Sequence, residues 1–211
     1  MVIYVMRHGQ TDWNVAKRLQ GRSDTVLNEN GRELARKTGE ALLAVPFAAV
    51  FSSPLKRAKE TAELALGGRK IPIIEDARLI EISFGTYEGL CSAKDHYEIP
   101  DREFSYFFTA PNKYRVPEGG ESFEELHRRT ADFLRDITAR QELEDKTVLV
   151  STHGAAGRAL LNALRIFEQK DFWNGGVSPN CSISILESVQ GNVRLIEENK
   201  IFYSRGPIAG V

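Results

Sequence analysis

Two short apolar runs, each closed by a histidine, constrain this chain more than any other feature. Val2 to Met6 stops at Arg7-His8-Gly9, and Thr147 to Ser151 is followed by His153-Gly154 and a helical pattern to about Leu164. Apolar runs of this kind read as buried strands that deliver polar side chains to a loop. Phe47 to Phe51, Ile71 to Ile74, Ser182 to Glu187 and Val193 to Glu197 read as further strands. A helix is expected from Asn28, with Leu34, Ala35, Ala41, Leu42 and Leu43 as core candidates. Ser53-Pro54 has the pattern of an N-cap with proline at the first helical position, opening a helix over 55–66. Ser122 and Glu125 have capping-box spacing, ahead of Phe123, Leu126, Thr130, Phe133, Leu134 and Ile137 on one helix face. Strands alternating with helices predict an α/β fold, a single-domain three-layer α/β/α sandwich with a mainly parallel central sheet. Ligands of such sheets bind beyond the carboxyl ends of the strands, where His8 and His153 both fall.

The 211 residues, 42% hydrophobic and 27% charged, suit one domain spanning 1–211. No repeat or linker divides them, and the aromatic stretch 97–120 reads as a variable, substrate-covering insertion over one edge. A formal net charge of -1 gives no global field for a nucleic-acid backbone or an anionic membrane, so any anion site must be local. The apolar start, Met1 to Met6, is too short for a signal peptide, and a soluble, cytoplasmic protein is expected. Cys91 and Cys181 form no ligand cluster and read as buried or idle thiols. The sequon at Asn180-Cys181-Ser182 is taken as accidental.

An imidazole such as His8 can attack phosphorus near neutral pH when its other nitrogen is held by a hydrogen bond. Arg7 beside it would fork onto phosphate oxygens and disfavour a protonated ring. Arg7-His8-Gly9-Gln10-Thr11, with Trp13 and Asn14, resembles the opening motif of the histidine phosphatase superfamily, the phosphoglycerate mutase-like proteins. Three later segments resemble that family in its own order: Ser53-Pro54-Leu55-Lys56-Arg57-Ala58 with Thr61, Leu79 to Gly85 with Glu88-Gly89, and Val150 to Gly154. Trp173 and Asn180 to Ile185 resemble its closing segment, so the likeness covers nearly the whole chain.

The resemblance implies His8 as nucleophile, Glu81 as proton donor, and Arg7, Arg57 and His153 around the phosphate. Asn14, Gln20, Gly21 and Gly154 align with further phosphate or substrate contacts. The free N–H groups at the two following helix N-termini would assist Arg57 and His153. Glu88 is read as a structural carboxylate satisfying backbone donors. His127 is expected to be solvated, and His96 borders the insertion. Phe104, Tyr106, Phe107, Phe108 and Tyr114 would either wall a pocket or pack the insertion onto the core.

The activity implied is metal-independent hydrolysis of small-molecule phosphate monoesters through a phosphohistidine on His8, with no cofactor. Alternatives are a cofactor-dependent phosphoglycerate mutase and a non-catalytic binder of phosphate ligands. The resemblance favours the phosphatase branch, and a homodimer is left open. Arg7 and Arg57 would repel a divalent cation, and no HExxH, phosphate loop or dinucleotide fingerprint is present.

Overall fold

The computed structural model describes residues 1–204. Its strands are β1 (Val2–Arg7), β2 (Phe47–Ser52), β3 (Ile73–Glu75), β4 (Thr147–Thr152), β5 (Ile183–Val189) and β6 (Asn192–Lys200). The helices are α1 (Asp12–Val15), α2 (Glu29–Ala41), α3 (Lys56–Leu66), α4 (Tyr106–Thr109), α5 (Phe123–Ala139) and α6 (Gly154–Asn162). They build one α/β domain around a six-stranded sheet in the order β3-β2-β4-β1-β5-β6. The first four of these are mutually parallel, and β5 and β6 add antiparallel.

Alternation along the central strands sorts their side chains into two cores. Ile3, Val5, Val148 and Val150 pack with Phe133 and Ile137 of α5 and Leu160 of α6. Met6 and Leu149 pack on the opposite side, with Leu42, Ala62 and Ala65 from the α2 and α3 side. Because Arg7 is in register with Thr152, and Ser52 with Ser151, His8, Ser53 and His153 emerge side by side beyond the strands.

Helix α5 carries the expected capping box, Ser122 Oγ accepting from Glu125 N and the Glu125 carboxylate from Ser122 N. Four expectations are corrected. The helix after Ser53-Pro54 begins at Lys56, because Leu55 is still extended (φ -67°, ψ 134°) and takes the N-cap position without a side-chain cap, while Ser53 Oγ accepts from Leu55 N ahead of the helix and faces His153 Nε2 at 2.7 Å. Ala41 and Leu43 are exposed, since Ala41 falls off the buried stripe that runs Ala35, Thr38, Gly39, Leu42 at i, i+3, i+4, i+7, and Leu43 lies beyond the C-cap at Leu42. His127 is half-buried, its ring stacked 4.2 Å from Phe167. The 97–120 stretch packs on α5 and its neighbours instead of on a sheet edge, with Phe107 5.0 Å from Phe123 and 5.4 Å from Trp173. Phe104, Phe107 and Tyr114 are buried there, so most of those aromatics build core. Both cysteines are free and buried, and no helix among the described residues is long and apolar enough to cross a membrane.

Candidate active site

A cavity of about 180 Å³ opens beyond β1 and β4, and Arg7, His8, Asn14, Gln20, Glu81 and Gly154 all line it. Arg57 and His153 are fully buried beside it. The four separated motifs are thus brought to one place.

His8 is 2% exposed, and its Nδ1 lies 2.7 Å from the carbonyl of Gly9. A carbonyl can only accept, so Nδ1 carries the proton and Nε2 keeps its lone pair. Burial, then Arg57 and Arg7, push the His8 pKa well below its usual 6.5. The loop is fixed by Gly9 N donating to Thr61 Oγ1 at 2.9 Å and Asn180 Nδ2 donating to the His8 carbonyl at 2.9 Å. The His153 ring sits 5.1 Å from that of His8. Burial, then Arg57 and His8, push its pKa well below 6.5 also. Ser53 Oγ accepts from Leu55 N and lies 2.7 Å from His153 Nε2, so Nδ1 is the ring nitrogen left without a partner among the described residues.

Arg7 donates through Nη1 to the Ser178 carbonyl. Arg57 donates to the carbonyls of Ser23 and Gly21, each at 2.7 Å. Burial pushes the Arg57 pKa down to about 10, which leaves it charged at neutral pH. Arg7 Nε, Arg57 Nε and His153 Nδ1 are buried and have no hydrogen-bond partner among the described residues. Unpaired buried donors are costly, and an anion among these three groups would satisfy them together.

The two helix N-termini are engaged otherwise than the sequence implies. Lys56 N at the start of α3 donates to Asp24 Oδ1 at 2.8 Å. Ala155 N and Ala156 N at the start of α6 donate to the two carboxylate oxygens of Glu81, at 3.0 and 2.8 Å. Those amides hold the carboxylate that approaches the cavity. Glu81 Oε1 also accepts from Ile82 N at 2.9 Å, whereas among the described residues Oε2 accepts only from Ala155 N. Oε2 therefore retains a lone pair for a proton. Gly154 keeps this corner open: a Cβ there would lie 3.6 Å from Glu81 Oε2 and 3.7 Å from Arg7 Nε.

Glu88 has the structural arrangement expected of it, gathering Gly21 N, Arg22 N, Ser23 N, Ser23 Oγ and Phe84 N on its two oxygens. It thereby fixes the loop whose carbonyls hold Arg57. A Cβ on Gly21 would stand 2.1 Å from Glu88 Oε1 and 2.3 Å from the Ile82 carbonyl. Gly21→Ala is expected to shift this loop and Arg57 with it, lowering kcat/KM about 10- to 100-fold. The overpacking should cost about 1–3 kcal/mol of stability, read by thermal melting. Asn14 Oδ1 caps the loop by accepting from Thr11 N at 3.1 Å, and Gln20 Oε1 accepts from Thr11 Oγ1 at 2.8 Å. These two brace the first motif as well as lining the cavity. His96 is exposed and pairs with Glu98 at 3.0 Å, away from that lining.

Sequence reasoning missed the support from Ser53, Ser178 and Asn180. It also missed Tyr203, whose hydroxyl donates to the Asn180 carbonyl. These contacts join residues as far as 172 positions apart and leave no local pattern.

The depressed histidines give the fold a pH dependence. Below about pH 6.5 an unfolded chain protonates both imidazoles while the folded one resists, so stability is retained above that pH and lost as pH falls. Each histidine contributes a slope of up to about 1.4 kcal/mol per pH unit. Melting temperature should fall between pH 6.5 and 5, and the fall should be shallower in His8→Asn.

The site and fold together define a phosphoryl-transfer protein of the histidine type. The chain belongs to the histidine phosphatase superfamily (branch 1), whose family model it matches over residues 3–200. It is 36% identical over 189 residues to the metal-independent phosphoserine phosphatase of Arabidopsis thaliana, covering 87% of this chain and 75% of that protein. It is 34% identical over 166 residues to the 2,3-bisphosphoglycerate-dependent phosphoglycerate mutase 2 of Gloeobacter violaceus, covering 77% and 75%. The solved structure of Bacillus stearothermophilus YhfR superposes with a TM-score of 0.86 at 36% identity, covering 95% and 97%.

Proposed function

We propose that the chain hydrolyses small-molecule phosphate monoesters through a phosphohistidine on His8. The observation that carries this reading is the neutral His8, with its free Nε2, set among three buried unpartnered donors on Arg7, Arg57 and His153. In the first step Nε2 attacks phosphorus, the ester P–O bond breaks, and the leaving oxygen takes the proton from Glu81 Oε2. Arg7, Arg57 and His153 meet the charge on the equatorial oxygens. In the second step water attacks phosphorus, the P–N bond breaks, Glu81 recovers the proton, and phosphate leaves. A binder of phosphate ligands would need neither the free nitrogen nor the placed carboxyl.

The same apparatus in a mutase returns the phosphoryl group to another hydroxyl of the substrate. Among the described residues, Phe108 and Val177 line the cavity and are 49% and 42% exposed, and water access at that mouth favours hydrolysis. The test is phosphate release across a panel of metabolite esters, with a mutase assay alongside and EDTA in parallel samples. Phosphate release that outpaces isomerisation and survives EDTA is expected, because the cationic side chains occupy the place of a metal. Isomerisation without release would make the chain a mutase, and loss on EDTA restored by one added metal would overturn the metal-independent reading.

A further inference from the structure

The rim of the cavity carries a cation that the transfer steps above do not use. Lys17 lies on that rim with its backbone in the left-handed region, φ 51°. Residues with a Cβ seldom adopt that conformation unless neighbouring structure imposes it, and such positions concentrate at functional sites. Here Ser92 imposes it: both Ser92 N and Ser92 Oγ donate to the Lys17 carbonyl at 2.9 Å. The neighbouring Arg18 also lines the cavity but is engaged, donating to the Gly89 carbonyl at 2.6 Å and to Glu98 at 3.0 Å. The Lys17 ammonium pairs with no carboxylate among the described residues. Trp13, Phe108 and Trp173 supply aromatic surface to the same cavity.

We propose that this rim is a second subsite, which recognises an anion on the leaving group. The favoured esters would carry a carboxylate or similar anion on a leaving group with an apolar or flat face. The face lies against the aromatic wall, and Lys17 selects the charge. This rests on the phosphatase reading above. A lysine that is merely solvated, or that only supports the loop, would not discriminate between leaving groups of the same shape.

The test compares 4-carboxyphenyl phosphate with 4-carbamoylphenyl phosphate, which differ in charge but little in shape. Wild type, Lys17→Asn and Lys17→Arg are assayed at low and high salt. Asparagine tolerates the left-handed backbone and removes the charge, and the ratio of the two esters within each enzyme cancels most of their difference in reactivity. Lys17→Asn should lower kcat/KM for the carboxylate ester about fivefold more than for the amide ester, chiefly through KM. Lys17→Arg should keep the wild-type ratio, and high salt should erode it. An unchanged ratio in Lys17→Asn, or equal loss with both esters, would overturn the subsite and leave the phosphatase reading standing. Failure of the wild type to hydrolyse either ester would remove both.

Discussion

Replacing His8 by alanine is expected to lower turnover roughly 10⁴- to 10⁶-fold, the range seen when a covalent nucleophile is removed. No other group is placed to substitute. His153 is engaged through Nε2 by Ser53, Cys181 is buried with its thiol pKa pushed up to about 12, and Ser53 Oγ already has two partners. The fold should survive, because the loop stays fixed by Gly9 N on Thr61 and by Asn180 on the carbonyl of residue 8, a backbone group the substitution keeps. His8→Asn sharpens the test, since its amide can still donate toward the Gly9 carbonyl while offering no nucleophile. Both variants should melt cooperatively at neutral pH and lose the acid-labile phosphoenzyme that the wild type forms with labelled substrate. Wild-type turnover in either folded variant would refute His8 as the phosphoryl carrier.

How much of this site could be read from the sequence depends on whether the controlling contacts are local. His8 and His153 were legible because an apolar strand ending in a polar residue is a local pattern, and a parallel sheet then puts such ends together. Helix α5 was legible for the same reason, its capping box lying within four consecutive residues, Ser122 to Glu125. Ser53 misled because Ser-Pro is a good helix-start signal in isolation, whereas Leu55 stays extended and takes the N-cap position, and the contact of Ser53 Oγ to His153, 100 residues later, has no local signal. The role of the α6 N-terminus was misread in a related way. A strand-loop-helix pattern advertises free amides for an anion, but nothing local reveals that Glu81 is the anion they bind. Ala41 was misassigned because apolarity alone was counted, whereas about 100° of rotation per residue decides which side chains a helix buries, and Leu43 because the helix ends before it, at Ala41 with Leu42 as its C-cap. Polar Thr38 is buried on that face because its hydroxyl finds the Cys181 carbonyl at 3.2 Å.

Glu81 is where the mechanism is most exposed, because three backbone amides hold its carboxylate and only Oε2 has a position left for a proton. If that proton goes to the leaving oxygen, Glu81→Gln should slow phosphoryl transfer from alkyl esters by about 10²- to 10⁴-fold, since an alkoxide leaves poorly without one. Glutamine can still accept backbone donors through its carbonyl oxygen, but its amide nitrogen would face Ile82 N and Ala156 N or Ala155 N, one orientation displacing fewer donors than the other. The variant should therefore lose a little stability, and melting curves must accompany the kinetics. Nitrophenyl phosphate separates the chemical loss from the structural one. Its leaving group is a stable anion that needs no proton, so a disturbed pocket slows both esters whereas a missing acid slows chiefly the alkyl ester. Steady-state rates can conceal the difference, because in the proposed mechanism the same carboxylate accepts a proton from water in the second step, and its loss there would slow both substrates alike. Rapid-quench measurement of phosphohistidine formation isolates the first step. Strong slowing with the alkyl ester and little with the aryl ester is the expected outcome. Equal slowing of that step for both would reduce Glu81 to a positioning group on the α6 amides and require another proton donor, with Glu88 excluded by the five donors it already accepts.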